Sequence, residues 1–155
     1  MLNNGKFLND CNVCYDSESM AVLRQQLGYD GCVVTDWPMW MQVPSASGTT
    51  PEGLDLSTAS VGELYATIFN ADVDQVGCFF MVEDDVPVDY DAVIARYPGM
   101  MQPMWPNAVK EQLELGNLTQ ETIDKHAKRV LRNKFELGLF EDPYCNLEDA
   151  LELCA

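Results

Sequence analysis

The sequence predicts an α/β fold built on parallel strands. Three observations carry that prediction: helical and strand-like signals alternate, the strand candidates are continuous apolar runs, and each run ends in polar or acidic residues. Continuous apolar runs are what strands covered on both faces require.

Asp16, Ser17 or Ser19 can cap a first helix through Met20, Val22, Leu23 and Leu27, and Gly28 supplies its stop. The run Cys32-Val33-Val34-Thr35 then reads as a buried strand ending at Asp36-Trp37. A long loop with Pro38, Pro44, Gly48, Pro51 and Gly53 follows, and loops of that length in compact domains are usually functional. Ser60 and Glu63 form a capping box. Behind it Val61, Leu64, Tyr65, Ile68 and Phe69 have the i, i+3, i+4, i+7, i+8 spacing of a helix lying on a sheet.

Residues 73–82 form the second strand candidate, running into Glu83, Asp84 and Asp85. A short helix is expected from Asp89 or Asp91 to Tyr97, broken by Pro98-Gly99, and then a Met- and Trp-rich loop over residues 100–106. Asn107 can cap a helix that stops at Gly116. Thr119 caps a longer one carrying Ile123, Ala127, Val130, Leu131 and Phe135, with Gly138 at its end and Leu139 and Phe140 folding back. Residues 147–155 are an acidic tail able to add a short helix or begin a linker. This amounts to about two β/α units, and two parallel strands do not make a stable sheet. The fold is therefore incomplete as a stand-alone domain.

Composition narrows the function. With 25 acidic and 9 basic residues among 155, the net charge of −16 repels nucleic acid and anionic membranes. No apolar run approaches the roughly 20 residues of a membrane span. The start MLNNGKFLNDC lacks the basic and apolar segments of a signal peptide, so a soluble chain is expected. Six cysteines allow three disulfides, but the chain is large for a disulfide scaffold and most are read as reduced thiols. Cys11 and Cys14 have CxxC spacing, suited to zinc or disulfide exchange. No second CxxC completes the four ligands of a structural zinc, so neither metal nor cofactor is expected. His126, the only histidine, reads as a helix-surface residue with no catalytic or metal partner.

Asp36 is the candidate for chemistry. It stands where a β/α protein gathers catalytic groups, at the C-terminal end of a strand. Trp37 beside it offers an apolar platform for a sugar face. By spacing alone, an Asp before a Pro-containing loop is more often a turn cap.

The flanking blocks add a family. LRQQLGYDGCVVTDW (residues 23–37) resembles the nucleophile motif of glycoside hydrolase family 3: a helix ending in LR, a G-(F/Y)-x-G turn, an apolar strand and (S/T)DW. LELGNLTQETIDKHAKRVLRNKFELGLFEDPY (residues 113–144) is similar to the closing helices of that family's barrel. FNADVDQVG (residues 69–77) resembles its last-strand motif AGxD, with Asp72 in place of the usual glycine. Three blocks in order over about 120 residues make a chance match far less credible than a lone motif would.

The resemblance implies that residues 1–144 are the C-terminal portion, the last two or so units, of a TIM-type (β/α)8 glycosidase barrel, with residues 145–155 an acidic tail or start of a linker. It implies a retaining β-glucosidase-like or β-xylosidase-like hydrolase acting on a carbohydrate substrate. Asp36 would be the nucleophile and Trp37 a substrate-binding residue. A retaining pair needs a second carboxylic acid about 5 to 5.5 Å away, which in this family comes from outside the barrel motif. The remainder of the barrel would come from another chain or a longer parent, leaving the isolated chain inactive. The alternative is a non-catalytic half-barrel acting as a structural or interaction subunit.

Overall fold

The computed structural model describes residues 5–35, 46–77, 104–144 and 146–154. The expected helix over residues 89–97, the acidic cluster Glu83, Asp84 and Asp85, and the strand continuation past Gly77 lie outside the described residues.

A short 3-10 turn, Val13–Tyr15, leads into α1, Ser17–Ala21. Of the three candidate caps, Asp16 is the one used: its side chain accepts from the Glu18 and Ser19 backbone N–H groups. The helix widens into a π turn over Val22–Gln26 and ends at Gly28, whose φ of +67° no side-chain-bearing residue adopts cheaply. Helix α2, Val61–Asn70, starts on the full capping box expected of Ser60 and Glu63. Helix α3 spans Met104–Glu114, three residues before the expected cap Asn107. The loop anticipated there gives way to helix because Pro106 falls in the first turn, where its missing N–H costs nothing. Helix α4, Gln120–Glu136, is capped by the Thr119 hydroxyl. The acidic tail forms α5, Leu147–Cys154.

Helices α3 and α4 both close on Schellman motifs. Gly116 N donates to Leu113 O and Asn117 N to Gln112 O; Gly138 N donates to Phe135 O and Leu139 N to Lys134 O. The second turns the chain back as the sequence suggested, stacking Phe140 on Phe135 with ring centroids 4.4 Å apart.

The two strand candidates meet in a parallel bridge between Val34 and Gln75. Thr35 N donates to Gln75 O at 3.0 Å, and Asp74 N and Gln75 N both donate to Val33 O. Beside this seam the core joins Cys11, Cys14, Tyr15 and Met20 of the N-terminal segment to Val33, Leu56, Leu64, Ile68 and Val73. A second cluster, Ala66, Phe69 and Leu118, is flanked by Val109, Leu113 and Ile123 and seats α2 against α3 and α4. The CxxC thiols thus belong to the core. Burial, the larger cause in each, pushes the Cys11 thiol up to about 11 and the Cys14 thiol up to about 12, the opposite of an exchange-active pair. The loop around Gly48 passes so close to residue 10 that a Cβ there would lie 1.6 Å from Asp10 O.

The capping box makes a direct prediction. Ser60→Ala removes the acceptor of the Glu63 N–H and should cost about 1 kcal/mol, read as a lowered urea midpoint with an unchanged slope.

Candidate functional site

Asp36 and Trp37, the residues singled out by sequence, lie outside the described residues. The structure describes the extended segment that leads to them and what holds it. Thr35 is fully buried, and its Oγ1 accepts from Gly77 N at 2.7 Å. This clips the two segments together at their C-terminal ends.

At their N-terminal ends stands an ion cluster centred on Asp74, whose side chain has no exposed surface. Its Oδ2 accepts from the Arg24 guanidinium at 2.5 Å and from Val33 N at 2.8 Å. Its Oδ1 lies 2.8 Å from His126 Nδ1 and accepts from Arg129 at 3.0 Å. A carboxylate offers about four lone-pair positions, and all are taken. Burial would raise this carboxyl, but the bonds from His126, Val33 N and Arg129 and the charge of Arg24 outweigh it and hold it low.

Arg24 is committed through its two terminal nitrogens. Besides Asp74 it donates to Tyr29 O, Gly31 O and Asp72 O, tying the turn before the first strand to the turn before the second. Arg129 reaches Asp72 at 2.7 Å and Asp30 at 3.2 Å, and Arg132 adds a bond to Asp30 at 2.8 Å. Burial opposes it, but the carboxylates of Asp72 and Asp74 raise the pKa of the Arg129 guanidinium.

Two expectations change here. His126 is not a surface residue: it is 3% exposed, and its Nε2 bonds to Phe69 O at 3.0 Å. The turn at residues 72–74 folds over this part of α4, so tertiary packing overrides the position the helical pattern assigned. Asp72 is more than a loose match to a glycine motif. Ala71 caps α2 and Asp72 follows with φ +71°, donating to Phe69 O while Val73 N donates to Ile68 O. This is a third Schellman motif, with Asp at the position that favours glycine. Lys125 at 2.8 Å and Arg129 at 2.7 Å anchor its carboxylate. Burial opposes ionisation of Asp72, yet those two partners hold its pKa at about 2.

Asp72, Asp74 and His126 bring ligand atoms within 4.8 Å of one another. Arg24, Arg129 and Lys125 already satisfy the carboxylates, and Asp74 has no lone pair to give, so the trio is an ion-pair cluster rather than a metal centre. Nor can it act on a substrate: Asp74 is sealed and fully bonded. What sequence reasoning missed was legible in one signal, a lone Asp inside an apolar strand, because a buried charge demands partners.

The chain is similar to glycoside hydrolases of the β-glucosidase type. It is 27% identical over 142 residues to a periplasmic beta-glucosidase/beta-xylosidase of Dickeya chrysanthemi, covering 85% of this chain and 18% of that protein. It is 27% identical over 130 residues to a probable beta-glucosidase C of Aspergillus flavus, covering 83% and 17%. To beta-glucosidase C of Emericella nidulans it is 26% identical over 130 residues. The chain spans less than a fifth of the length of these relatives. No family model matches it. Among the described residues, no helix is long and apolar enough to cross a membrane.

Two predictions follow from Asp72. Asp72→Gly and Asp72→Ala lose the same ion pairs, but only glycine relieves the positive φ. The glycine variant should therefore be the more stable of the two by about 1 kcal/mol, measured by chemical denaturation. A carboxyl held low when folded stabilises above its unfolded pKa of about 3.9 and loses that contribution as pH falls towards the folded value. Between pH 5 and pH 2 the native chain should lose on the order of 2 kcal/mol more stability than Asp72→Asn, measured by parallel denaturant titrations.

Proposed function

We propose that the chain is part of a retaining β-glycoside hydrolase in which Asp36 attacks the anomeric carbon and carries the glycosyl-enzyme ester. The observation that carries this reading is likeness to β-glucosidases over more than four-fifths of the chain, in a sequence that retains Thr35-Asp36-Trp37 after the apolar run Cys32-Val33-Val34. Trp37 supplies the apolar face against which the sugar ring lies. The acid that protonates the leaving oxygen, and later activates water, comes from outside this chain. β-D-glucosides and β-xylosides are the substrate class that the relatives' names suggest.

The fold reading that goes with it is two neighbouring units of a (β/α)8 barrel. In support, Val34 and Gln75 pair in parallel, with α2 lying between them in the chain as the crossover. Large apolar side chains stand exposed where further units would pack: Leu27 is 72% exposed, and Leu131, Phe135 and Leu137 line the open side of α4 and its exit. Singly such residues are ordinary; on two β/α units of a larger barrel they suit burial by the units beside them.

The test is covalent trapping. In the complete barrel, a 2-deoxy-2-fluoroglycosyl fluoride should leave its sugar on Asp36, located by peptide mass spectrometry. Asp36→Asn should lower kcat on the order of 10³-fold or more. Normal turnover by that variant would instead favour the non-catalytic subunit, which the small share of a barrel in this chain keeps in view.

A further inference from the structure

We propose that His126 is held in the folded chain as the doubly protonated imidazolium, and that its second proton is a pH-sensitive latch between α4 and the end of α2. The latch is independent of the role proposed for Asp36. A neutral imidazole has one N–H and one lone pair, so it satisfies one acceptor and one donor; only the imidazolium donates from both nitrogens. His126 meets two acceptors. Its Nδ1 lies 2.8 Å from Asp74 Oδ1 and its Nε2 lies 3.0 Å from Phe69 O. A main-chain carbonyl oxygen has no proton to give, so the one between Nε2 and Phe69 O belongs to the ring. Burial opposes ionisation of Asp74, but the bonds from His126, Val33 N and Arg129 hold that carboxyl low. The proton on the Nδ1 side therefore belongs to the ring as well.

The charges packed around the ring pull in both directions. Phe69 is the penultimate residue of α2, and the C-terminal end of a helix carries a partial negative charge that favours a cation. Asp72 adds a second carboxylate, its Oδ1 3.9 Å from Nδ1. Against the imidazolium stand burial, with the residue 3% exposed, and the cations that share its carboxylates: Arg24 and Arg129 on Asp74, Lys125 and Arg129 on Asp72. Contact decides between them. Both acceptors bond the ring nitrogens directly, whereas the cations are bonded to the carboxylates. A neutral ring would leave a buried lone pair facing an oxygen at hydrogen-bond distance, a polar group with no donor to satisfy it.

When the ring gives one proton to water, it keeps the N–H that faces Asp74, because a bond to a carboxylate is about twice as strong as one to a neutral acceptor. The bond given up is the one to Phe69 O, so the latch opens at α2 while Asp74 stays bonded. A group held protonated by folding stabilises the fold at low pH and loses that contribution as pH rises. Asp72 acts in the reverse sense, its contribution fading on the acid side.

His126 is the only histidine of the chain, so labelling histidine isotopically at both ring nitrogens gives a single pair of nuclear magnetic resonance signals. At about pH 7.5, where an ordinary histidine is mostly neutral, both nitrogens of the folded chain should carry a proton. A nitrogen without one would overturn the proposal. The second measurement compares urea midpoints of the native chain and His126→Gln from about pH 6 to about pH 9. Glutamine offers donors on one side only and does not titrate, so the advantage of the native chain should shrink as pH rises. An advantage that stays constant over that range would overturn the latch. If His126→Gln does not fold, the ring signals of the native chain decide alone.

Discussion

A single carboxylate, that of Asp74, is the constraint on which the described structure turns. It is buried, ionised and bonded by four donors from three elements. Removing one partner of a buried ion pair typically costs 3–5 kcal/mol, because the charge left behind has neither water nor counterion. Arg24 and Arg129 are each nearly buried, so that penalty falls on them as well. Hydrophobic contacts fill the space around this point, with Val33 and Val73 in one cluster and Phe69 in the other. Apolar packing alone has no directional preference. The directionality comes from the cluster, which joins the helix before Val33, the two bridged segments and α4.

The cluster meets the segment that leads to the candidate nucleophile at Val33, three residues before Asp36 in the sequence. In β/α proteins the C-terminal ends of strands carry chemistry and the N-terminal ends carry stability. On the barrel reading proposed for this chain, Val33, bonded to the Asp74 carboxylate, would belong to the stabilising end and Asp36 to the reactive one. Substitutions at the two ends should therefore leave different signatures in rate and in folding.

Helix boundaries written in local chemistry were legible: the Ser60–Glu63 box, the Asp16 and Thr119 caps, and the glycine stops at Gly28, Gly116 and Gly138 all act as their residue types dictate. Local signals fail where distant residues decide. His126 lies at a boundary position of its helix and is buried only because a turn 52 residues earlier folds over it. Helix α3 starts three residues ahead of Asn107, inside the Met- and Trp-rich stretch expected to be loop, because a Pro in the first turn of a helix loses no hydrogen bond. Asp36 was legible through its flanking motif, and Asp74 as the Asp of the AGxD-like block, but nothing local to residue 74 named Arg24, His126 and Arg129 as its partners.

Asp72 carries a consequence for how this sequence can change. An aspartate with positive φ is tolerated here because Lys125 and Arg129, far away in the chain, compensate its backbone strain with ion pairs. With glycine at that position, Lys125 would be free to vary; with aspartate present, the lysine is no longer neutral. Substitutions at positions 72 and 125 should therefore be non-additive in stability, with Arg129 the partner that remains when Lys125 is replaced.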